Sequence, residues 1–204
     1  EWLAWPEVRD EIRAGHIGLD RATPDYAVSS VLQTILGGSF TSRLVQNLRE
    51  KHGYTYGVRS RFLLWAAPGP FVVRTAVRTD VTGPALQEIL TELKGMQKLS
   101  AEEAQKGRAL VQNDVVDGFA VARDAARLLA DLAAHGLPLD TWSRLPAALV
   151  PLDVNPLATA AARLFHPGNL AIVLVGDKAQ ILPQLKALAL PVVEYRDADG
   201  APVK

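Results

Sequence analysis

The chain has 204 residues, 49% of them hydrophobic, which is enough apolar material for the core of one domain. Its 22 basic and 22 acidic residues cancel, so no net field attracts nucleic acid or an anionic membrane. The absence of cysteine excludes disulfides, thiolate metal sites and a cysteine nucleophile, but leaves the compartment open between cytoplasm and periplasm. The apolar runs are too short to span a bilayer, which predicts a soluble protein. The sequence therefore predicts one domain over residues 1–204, and its first residue, Glu1, suggests a piece of a longer chain.

The chain opens with the pattern of a strand followed by a helix. Residues 7–15 alternate loosely and end at a glycine, which predicts a strand. Thr23 and Pro24 have the pattern of a helix N-cap and first helical position, and the glycine pair at 37–38 gives the stop. An apolar stripe between them is expected to face the core and comprises Tyr26, Ala27, Val31, Leu32, Ile35 and Leu36.

A second helix and a hairpin are expected next. The helix should begin at Ser39 or Thr41 and end at Gly53. Its inward residues should be Leu44, Val45 and Leu48. Residues 54–67 and 71–79 are rich in β-type residues and are separated by Ala-Pro-Gly-Pro, which predicts a hairpin. In its second strand the predicted core face alternates as Phe71, Val73, Thr75 and Val77.

The second half of the chain is mostly helical until a short apolar strand. Ser100 and Glu103 form the pattern of a capping box that introduces a helix to Val116. The other expected elements are helices over 82–99 and 119–135, two helical segments to about 165, a strand over 170–175, a helix over 178–188 and a strand over 192–195. This order predicts an α+β fold of two layers, with helices packed on one face of a mixed, mostly antiparallel sheet.

No motif for a metal or a nucleophile is present. The histidines stand at 16, 52, 135 and 166, so no two have the spacing that places both on one metal from one helix. Neither H-x-x-E-H, G-x-S-x-G nor a phosphate-binding loop occurs. His52 and His135 fall near helix ends and His16 and His166 beside turns, which favours structural roles. The sequence therefore predicts no catalytic residue, metal ligand or cofactor on this chain.

Residues 36–58 carry the densest motif of the chain. Residues 36–44 read Leu-Gly-Gly-Ser-Phe-Thr-Ser-Arg-Leu, and residues 47–58 read Asn-Leu-Arg-Glu-Lys-His-Gly-Tyr-Thr-Tyr-Gly-Val. Together they resemble the C-terminal-half signature of the pitrilysin, insulin-degrading-enzyme and mitochondrial-processing-peptidase family. There, a Gly-Gly-x-Phe-x-Ser-Arg-Leu loop leads into a helix reading Leu-Arg-Glu-Lys-x-Gly-x-x-Tyr. The order of elements extends the likeness over most of the chain.

This resemblance implies a substrate-binding half that is inactive alone. The zinc and the glutamate base of such peptidases belong to another domain or subunit, which bears H-x-x-E-H and is the implied partner. Arg49 and Tyr56 match the positions that clamp the peptide substrate. Both side chains can donate hydrogen bonds to a peptide carbonyl and its developing oxyanion. The competing structural interpretation is that Arg49 offsets the helix dipole while Tyr56 packs in the sheet.

Other residues of the same region are weaker candidates. Phe40 could line a substrate chamber, but a phenylalanine at a helix start more often packs into the core. Two arginine pairs each share a sheet face and could grip an acidic or extended peptide, namely Arg59 with Arg61 and Arg74 with Arg78. Aromatic residues that could cover a partner surface or cap the domain's own core are Trp2, Trp5 and Trp65.

Two rival functions remain compatible with the sequence. The chain could be a structural subunit of the kind found among respiratory-complex core proteins that are similar to these peptidases. It could also be a peptide-binding module without a catalytic partner. The presence of both Arg49 and Tyr56 favours the peptidase half over the structural subunit.

Overall fold

The computed structural model describes residues 9–190, 194–197 and 199–203. Its strands are β1 (Arg9–Ile17), β2 (Thr55–Phe62), β3 (Pro70–Arg78), β4 (Ala171–Val175), β5 (Tyr195–Arg196) and β6 (Pro202–Val203). Its α-helices are α1 (Tyr26–Gln33), α2 (Thr82–Gly95), α3 (Ala101–Ala120), α4 (Ala122–Ala134), α5 (Thr141–Leu149), α6 (Val154–Leu164) and α7 (Lys178–Lys186). Two π-helical segments, π1 (Thr34–Gly38) and π2 (Val45–Lys51), and a 3-10 turn (Thr79–Val81) complete the order.

Four strands form one sheet in the order β2-β3-β1-β4. All three neighbouring pairs in it are antiparallel, so among the described residues this sheet contains no parallel pair. The first and last strands in this order, β2 and β4, are its edges. The predicted α+β fold with a mostly antiparallel sheet is thereby confirmed.

One face of the sheet is covered by helices, and the other is open. The buried residues of β1, β2 and β3 alternate along each strand, as a half-covered sheet requires. The buried apolar residues on this face are Ile12, Ala14, Val58, Phe62, Phe71, Val73 and Val77. Both apolar stripes face the core: Tyr26 and Ala27 are partly buried against it, and the other predicted inward residues are buried, namely Val31, Leu32, Ile35, Leu36, Leu44, Val45 and Leu48. The residues that point to the opposite face are mostly exposed.

The first helix begins later than the sequence predicts. Its N-cap is Asp25 rather than Thr23, and Pro24 precedes the first helical residue, Tyr26. The hydroxyl of Thr23 accepts the Asp25 amide at 3.2 Å, so Thr23 stabilises the turn before the helix. The Asp25 carboxylate does not cap the helix because both its oxygens bind the guanidinium of Arg163, at 2.6 and 2.7 Å.

The helical backbone ends at Gly38, as the glycine pair predicts. However, neither glycine has the left-handed backbone conformation that is typical of a glycine at a helix end. The backbone passes into the π1 turn and leaves through extended Ser39. Gly37 lies against β2, where an added Cβ would come within 2.7 Å of the Ser60 amide nitrogen. Glycine at 37 therefore permits a close approach of helix and sheet rather than a positive φ.

The remaining boundaries shift by a few residues. Strand β2 ends at Phe62 although β-type residues continue beyond it, and α2 ends at Gly95 instead of 99. The capping box is confirmed: the Ser100 hydroxyl accepts the Glu103 amide at 3.1 Å, and the Glu103 carboxylate accepts the Ser100 amide at 2.8 Å. Helix α3 continues past the expected Val116, so the next helix starts after residue 119.

Parts of the sequence predictions fall beyond the described residues. Trp2, Trp5, residues 7–8 of the first expected strand and residues 192–193 of the last lie outside them. Tyr195, the end of that strand, pairs with Val203 in the small β5-β6 sheet. Within the described ranges, no single helix is long and apolar enough to cross a membrane. Helices α5 and α6 together reach that length and apolar composition, but the chain bends by 114° between them.

We predict that Gly37→Ala destabilises the protein. The new methyl group would meet the Ser60 amide and hydroxyl at 2.7 and 2.8 Å, so the π1 turn must move away from β2. The expected loss is about 1–3 kcal/mol of unfolding free energy, measured by urea denaturation. Gly168→Ala is the matched control because an added Cβ there meets nothing within 4 Å. Equal stability of the two variants would contradict the close approach.

Candidate functional site

A β-bulge turns Tyr56 out of the core. In a regular strand Tyr56 would share the inward face of Val58 and Phe62, which are 2% and 5% exposed. The pairing of β2 with β3 shifts by one residue between Thr55 and Val58, so two residues of β2 oppose Ala76 alone. Tyr56 is 80% exposed as a result. The interpretation that its ring packs within the sheet is therefore wrong.

Two threonine hydroxyls hold the bulge. The hydroxyl of Thr55 donates to the Ala76 carbonyl at 2.6 Å and accepts the Gly57 amide at 3.0 Å. The hydroxyl of Thr75, from the neighbouring strand, lies 2.9 Å from the Thr55 oxygen and 3.0 Å from the Gly57 carbonyl. These bonds satisfy backbone groups that the irregular pairing would otherwise leave without partners.

The π2 segment places Arg49 beside the bulge. Leu48, one residue earlier, is fully buried against the sheet, while the Arg49 side chain is 34% exposed. The chain then reverses at Gly53, whose φ of +62° is in the left-handed region. The Tyr54 amide donates back to the Leu48 carbonyl at 2.8 Å, which closes the helix end and starts β2.

Arg49, Tyr56 and Phe40 form one exposed cluster. The guanidinium carbon of Arg49 lies 4.9 Å from the centre of the Phe40 ring and 5.3 Å from that of the Tyr56 ring. Such cation–π contacts each contribute about 0.5–1 kcal/mol at an exposed site. The Phe40 side chain is 65% exposed, so it is not the buried staple that its place at a helix start favours. The structure therefore adds Phe40 to the two residues predicted from the motif.

The polar groups of this cluster are available to a ligand. Among the described residues Arg49 makes one ion pair, from its Nε to the Glu50 carboxylate at 3.4 Å, and Glu50 is itself 45% exposed. No residue in those same ranges hydrogen-bonds the Tyr56 hydroxyl. A guanidinium fixed between two rings beside a free phenol can donate to the carbonyl oxygens of an extended peptide.

The histidines do not form a metal site. No three His, Cys, Asp or Glu side chains of the described residues come together as a possible ligand group, so the zinc implied by the resemblance does not fit this chain's own residues. His52 and His135 are the C-caps of π2 and α4, as their sequence positions indicate. The rings of His16 and His166 meet edge-on with their centres 4.8 Å apart.

The remaining candidates lie elsewhere on the sheet. Arg59, Arg61 and Arg74 are exposed on the open face. Arg78 instead binds the Asp80 carboxylate at 3.1 Å and the Gly53 carbonyl at 3.2 Å. Trp65, in the β2-β3 connection, is 56% exposed. The structure thus brings Arg49 and Tyr56 together but separates them from Trp65.

The fold and the sequence match a family of inactive peptidase domains. A family model described as the peptidase M16 inactive domain matches residues 7–111, just over half of the chain. The chain therefore belongs to the peptidase M16 inactive-domain family, which confirms the resemblance in the motif at 36–58. A comparison with curated proteins found no match.

Solved structures share the fold over most of the chain. A peptidase M16 inactive domain from Pseudomonas fluorescens is 26% identical with a TM-score of 0.76, covering 85% of this chain and 43% of that one. An inactive peptidase domain from Bordetella parapertussis is 17% identical with a TM-score of 0.71, covering 85% of this chain and 96% of that one. A chain of complex III from Candida albicans is 14% identical with a TM-score of 0.71, covering 88% of this chain and 44% of that one. The chain thus spans less than half the length of the Pseudomonas protein.

We predict that Thr55→Val loosens the bulge. The substitution keeps the side-chain shape but removes the acceptor of the Gly57 amide and the donor to Ala76. The expected loss is about 1 kcal/mol of unfolding free energy, with faster hydrogen exchange at Gly57. Thr91→Val is the control, because the exposed Thr91 hydroxyl bonds only within its own helix. Unchanged exchange at Gly57 would contradict the role of Thr55.

We predict that acid weakens the fold through His16. Burial lowers the pKa of His16; its hydrogen bond with the Ile17 carbonyl raises the pKa, and the charge of His166 lowers it further. Because the unfolded chain then binds more protons than the folded one, stability falls as pH drops through about 6.5. The pKa of His16, followed by NMR titration, should rise in His166→Gln. A wild-type His16 pKa above the ordinary value would contradict this sign.

Proposed function

We propose that this chain is the non-catalytic, peptide-binding half of a zinc endopeptidase. Arg49 and Tyr56 hold the peptide substrate beside a zinc site that another domain or subunit carries. The main supporting observation is that the Arg49 guanidinium lies 4.9 Å from the centre of the Phe40 ring and 5.3 Å from that of the Tyr56 ring. Beside it is the Tyr56 hydroxyl, which no described residue hydrogen-bonds. Family membership supports the proposal, since the matched model is an inactive peptidase domain.

The chemistry divides between the two halves. The zinc-bearing counterpart supplies the metal that activates water for attack on the peptide bond. This chain contributes hydrogen-bond donors: the fork of Arg49 grips a peptide carbonyl, and the hydroxyl of Tyr56 donates to the oxyanion that develops from it. The contact of Phe40 with the guanidinium restricts the Arg49 side chain before binding, so less side-chain entropy is lost when the peptide binds.

A structural subunit is the second candidate function. The likeness to a chain of complex III from Candida albicans favours it, although that likeness concerns the fold alone. A structural subunit does not require the Arg49–Tyr56 pair, in which Arg49 makes an ion pair only with Glu50 among the described residues. Variants at Arg49 and Tyr56 therefore distinguish the two functions. They should alter peptide cleavage if the chain is a peptidase half, and should change no function if it is a structural subunit.

We predict that Arg49→Ala slows peptide cleavage by about 100-fold when this chain is combined with the counterpart that bears H-x-x-E-H. Tyr56→Phe should slow it as well, because the ring contact remains and only the donor is lost. Arg49→Lys should remain slow, since an ammonium cannot reproduce the planar fork between two rings. The measurement is kcat/KM for a fluorogenic peptide, and the chain alone should show no activity.

Lys51→Ala provides the matched control for this experiment. Lys51 is an exposed cation on the same π2 segment, and it makes no ring contact with Phe40 or Tyr56. Its substitution should leave kcat/KM unchanged, and gel filtration should show every variant assembled with the counterpart. Normal turnover in both Arg49→Ala and Tyr56→Phe would remove the peptide-clamping role and favour the structural subunit.

A further inference from the structure

Three arginines stand side by side across the open face of the sheet. Arg74 on β3 is directly opposite Arg13 on β1 and directly opposite Arg59 on β2. Directly opposed side chains of an antiparallel pair have Cβ atoms about 5 Å apart. Arg61 lies on the same face two residues beyond Arg59. We call Arg13, Arg59, Arg61 and Arg74 the arginine row.

The row is poorly neutralised from within the protein. Arg13 makes a single ion pair with Glu11, at 3.2 Å between exposed side chains. Within the part of the chain that the structure describes, Arg59, Arg61 and Arg74 make no ion pair and no side-chain hydrogen bond. Like charges placed directly opposite each other destabilise a sheet. Repulsion among these arginines therefore destabilises the sheet when no ligand is bound, although the net charge of the chain is zero.

The row adjoins the cluster that the proposed function uses. Arg59 follows Tyr56 by three residues on the same edge strand, a separation of about 10 Å. Adjacent strands are about 4.8 Å apart, so Arg59 and Arg13 at the two ends of the row are also separated by about 10 Å. Alternate side chains of an extended peptide are about 7 Å apart, so two of them can reach the row at once.

We propose that the arginine row binds acidic side chains of an extended peptide substrate, so that this half of the peptidase selects peptides with Glu or Asp at alternate positions. The inference rests on the proposed function. Arg49 and Tyr56 hold the peptide backbone, and the row gives the sequence preference. Arg59, Arg61 and Arg74 provide guanidinium donors that match carboxylate geometry.

Charge and composition favour a peptide over other occupants of this face. The core of a stable protein–protein interface is depleted in charged residues, whereas four arginines lie together on this face; its exposed apolar side chains, Ile17, Val173 and Val175, lie at the end of β1 and on the edge strand β4. Nucleic-acid binding is favoured by a basic domain, and this chain has as many acidic as basic residues. A flexible acidic segment can neutralise the row without burying it.

The test measures binding of two labelled peptides by fluorescence anisotropy. One carries Glu at alternate positions, and the other carries Gln at the same positions. The wild-type chain should bind the Glu peptide about tenfold more tightly at low salt, and the preference should shrink as salt screens it. Arg59→Gln/Arg74→Gln should abolish the preference while leaving the Gln peptide's Kd unchanged. Arg123→Gln/Arg127→Gln removes the same charge from exposed positions on α4 and should keep the preference.

A second readout needs no ligand. Because Arg74 opposes two like charges, Arg74→Gln should raise the Tm of the free protein by about 2 °C at low salt, and less at high salt. An unchanged or lower Tm would show that the row is not strained in the free protein.

The outcomes separate this inference from the proposed function. Equal affinity of the wild-type chain for both peptides, no binding of the Glu peptide, or a preference that persists in Arg59→Gln/Arg74→Gln would each overturn the acidic preference. Tighter binding of a single-stranded oligonucleotide than of the Glu peptide would also overturn it, in favour of nucleic acid. Failure of the proposed function has a different signature, namely normal cleavage by Arg49→Ala and Tyr56→Phe.

Discussion

The candidate site depends on one extra residue in an edge strand. Because side chains of a strand alternate between its two faces, an unbroken β2 would send Tyr56 into the core with Val58 and Phe62. The bulge reverses its direction, and the hydroxyls of Thr55 and Thr75 satisfy the backbone groups that the extra residue displaces. An exposed phenol beside a guanidinium is thus obtained without disturbing the core face, because the pairing from Val58 onward is regular.

The amino-acid sequence predicts most of the fold because local chemistry and burial agree over long stretches. The apolar stripes, the alternation of Phe71 to Val77 and the capping box at Ser100 are local patterns, and each forms as expected. What the sequence missed is set by contacts between distant residues. Asp25 does not cap its helix because Arg163, 138 residues away in the sequence, binds its carboxylate. Phe40 is exposed, and its ring contacts the guanidinium of Arg49 instead of the core. Gly57 within a strand was the available signal for the bulge, since an interior glycine often marks one.

The two faces of the sheet have opposite characters. One face meets helices so closely that Gly37 admits no side chain, and its buried residues are mostly apolar, with Asp10, Ser60 and Thr75 as polar exceptions. The other face presents the arginine row, whose ion pairs within the described residues are few, beside exposed valines of β4. Buried residues next to the site, Leu48 in π2 and Val58 in β2, anchor the segments that carry Arg49 and Tyr56 to the core.

The edge strand β4 has a consequence for handling the protein. Its sequence, Ala-Ile-Val-Leu-Val, contains no charge and no proline, and Val173 and Val175 are 56% and 61% exposed. Within the described ranges no strand pairs beyond it. Uncharged, β-branched strands at an exposed sheet edge are templates for intermolecular pairing, and many proteins protect such edges with a lysine or a bulge. Concentrated preparations of this chain therefore have an intrinsic tendency to self-associate into aggregates through β4, and a charged side chain at Val173 would be the natural means of suppressing it.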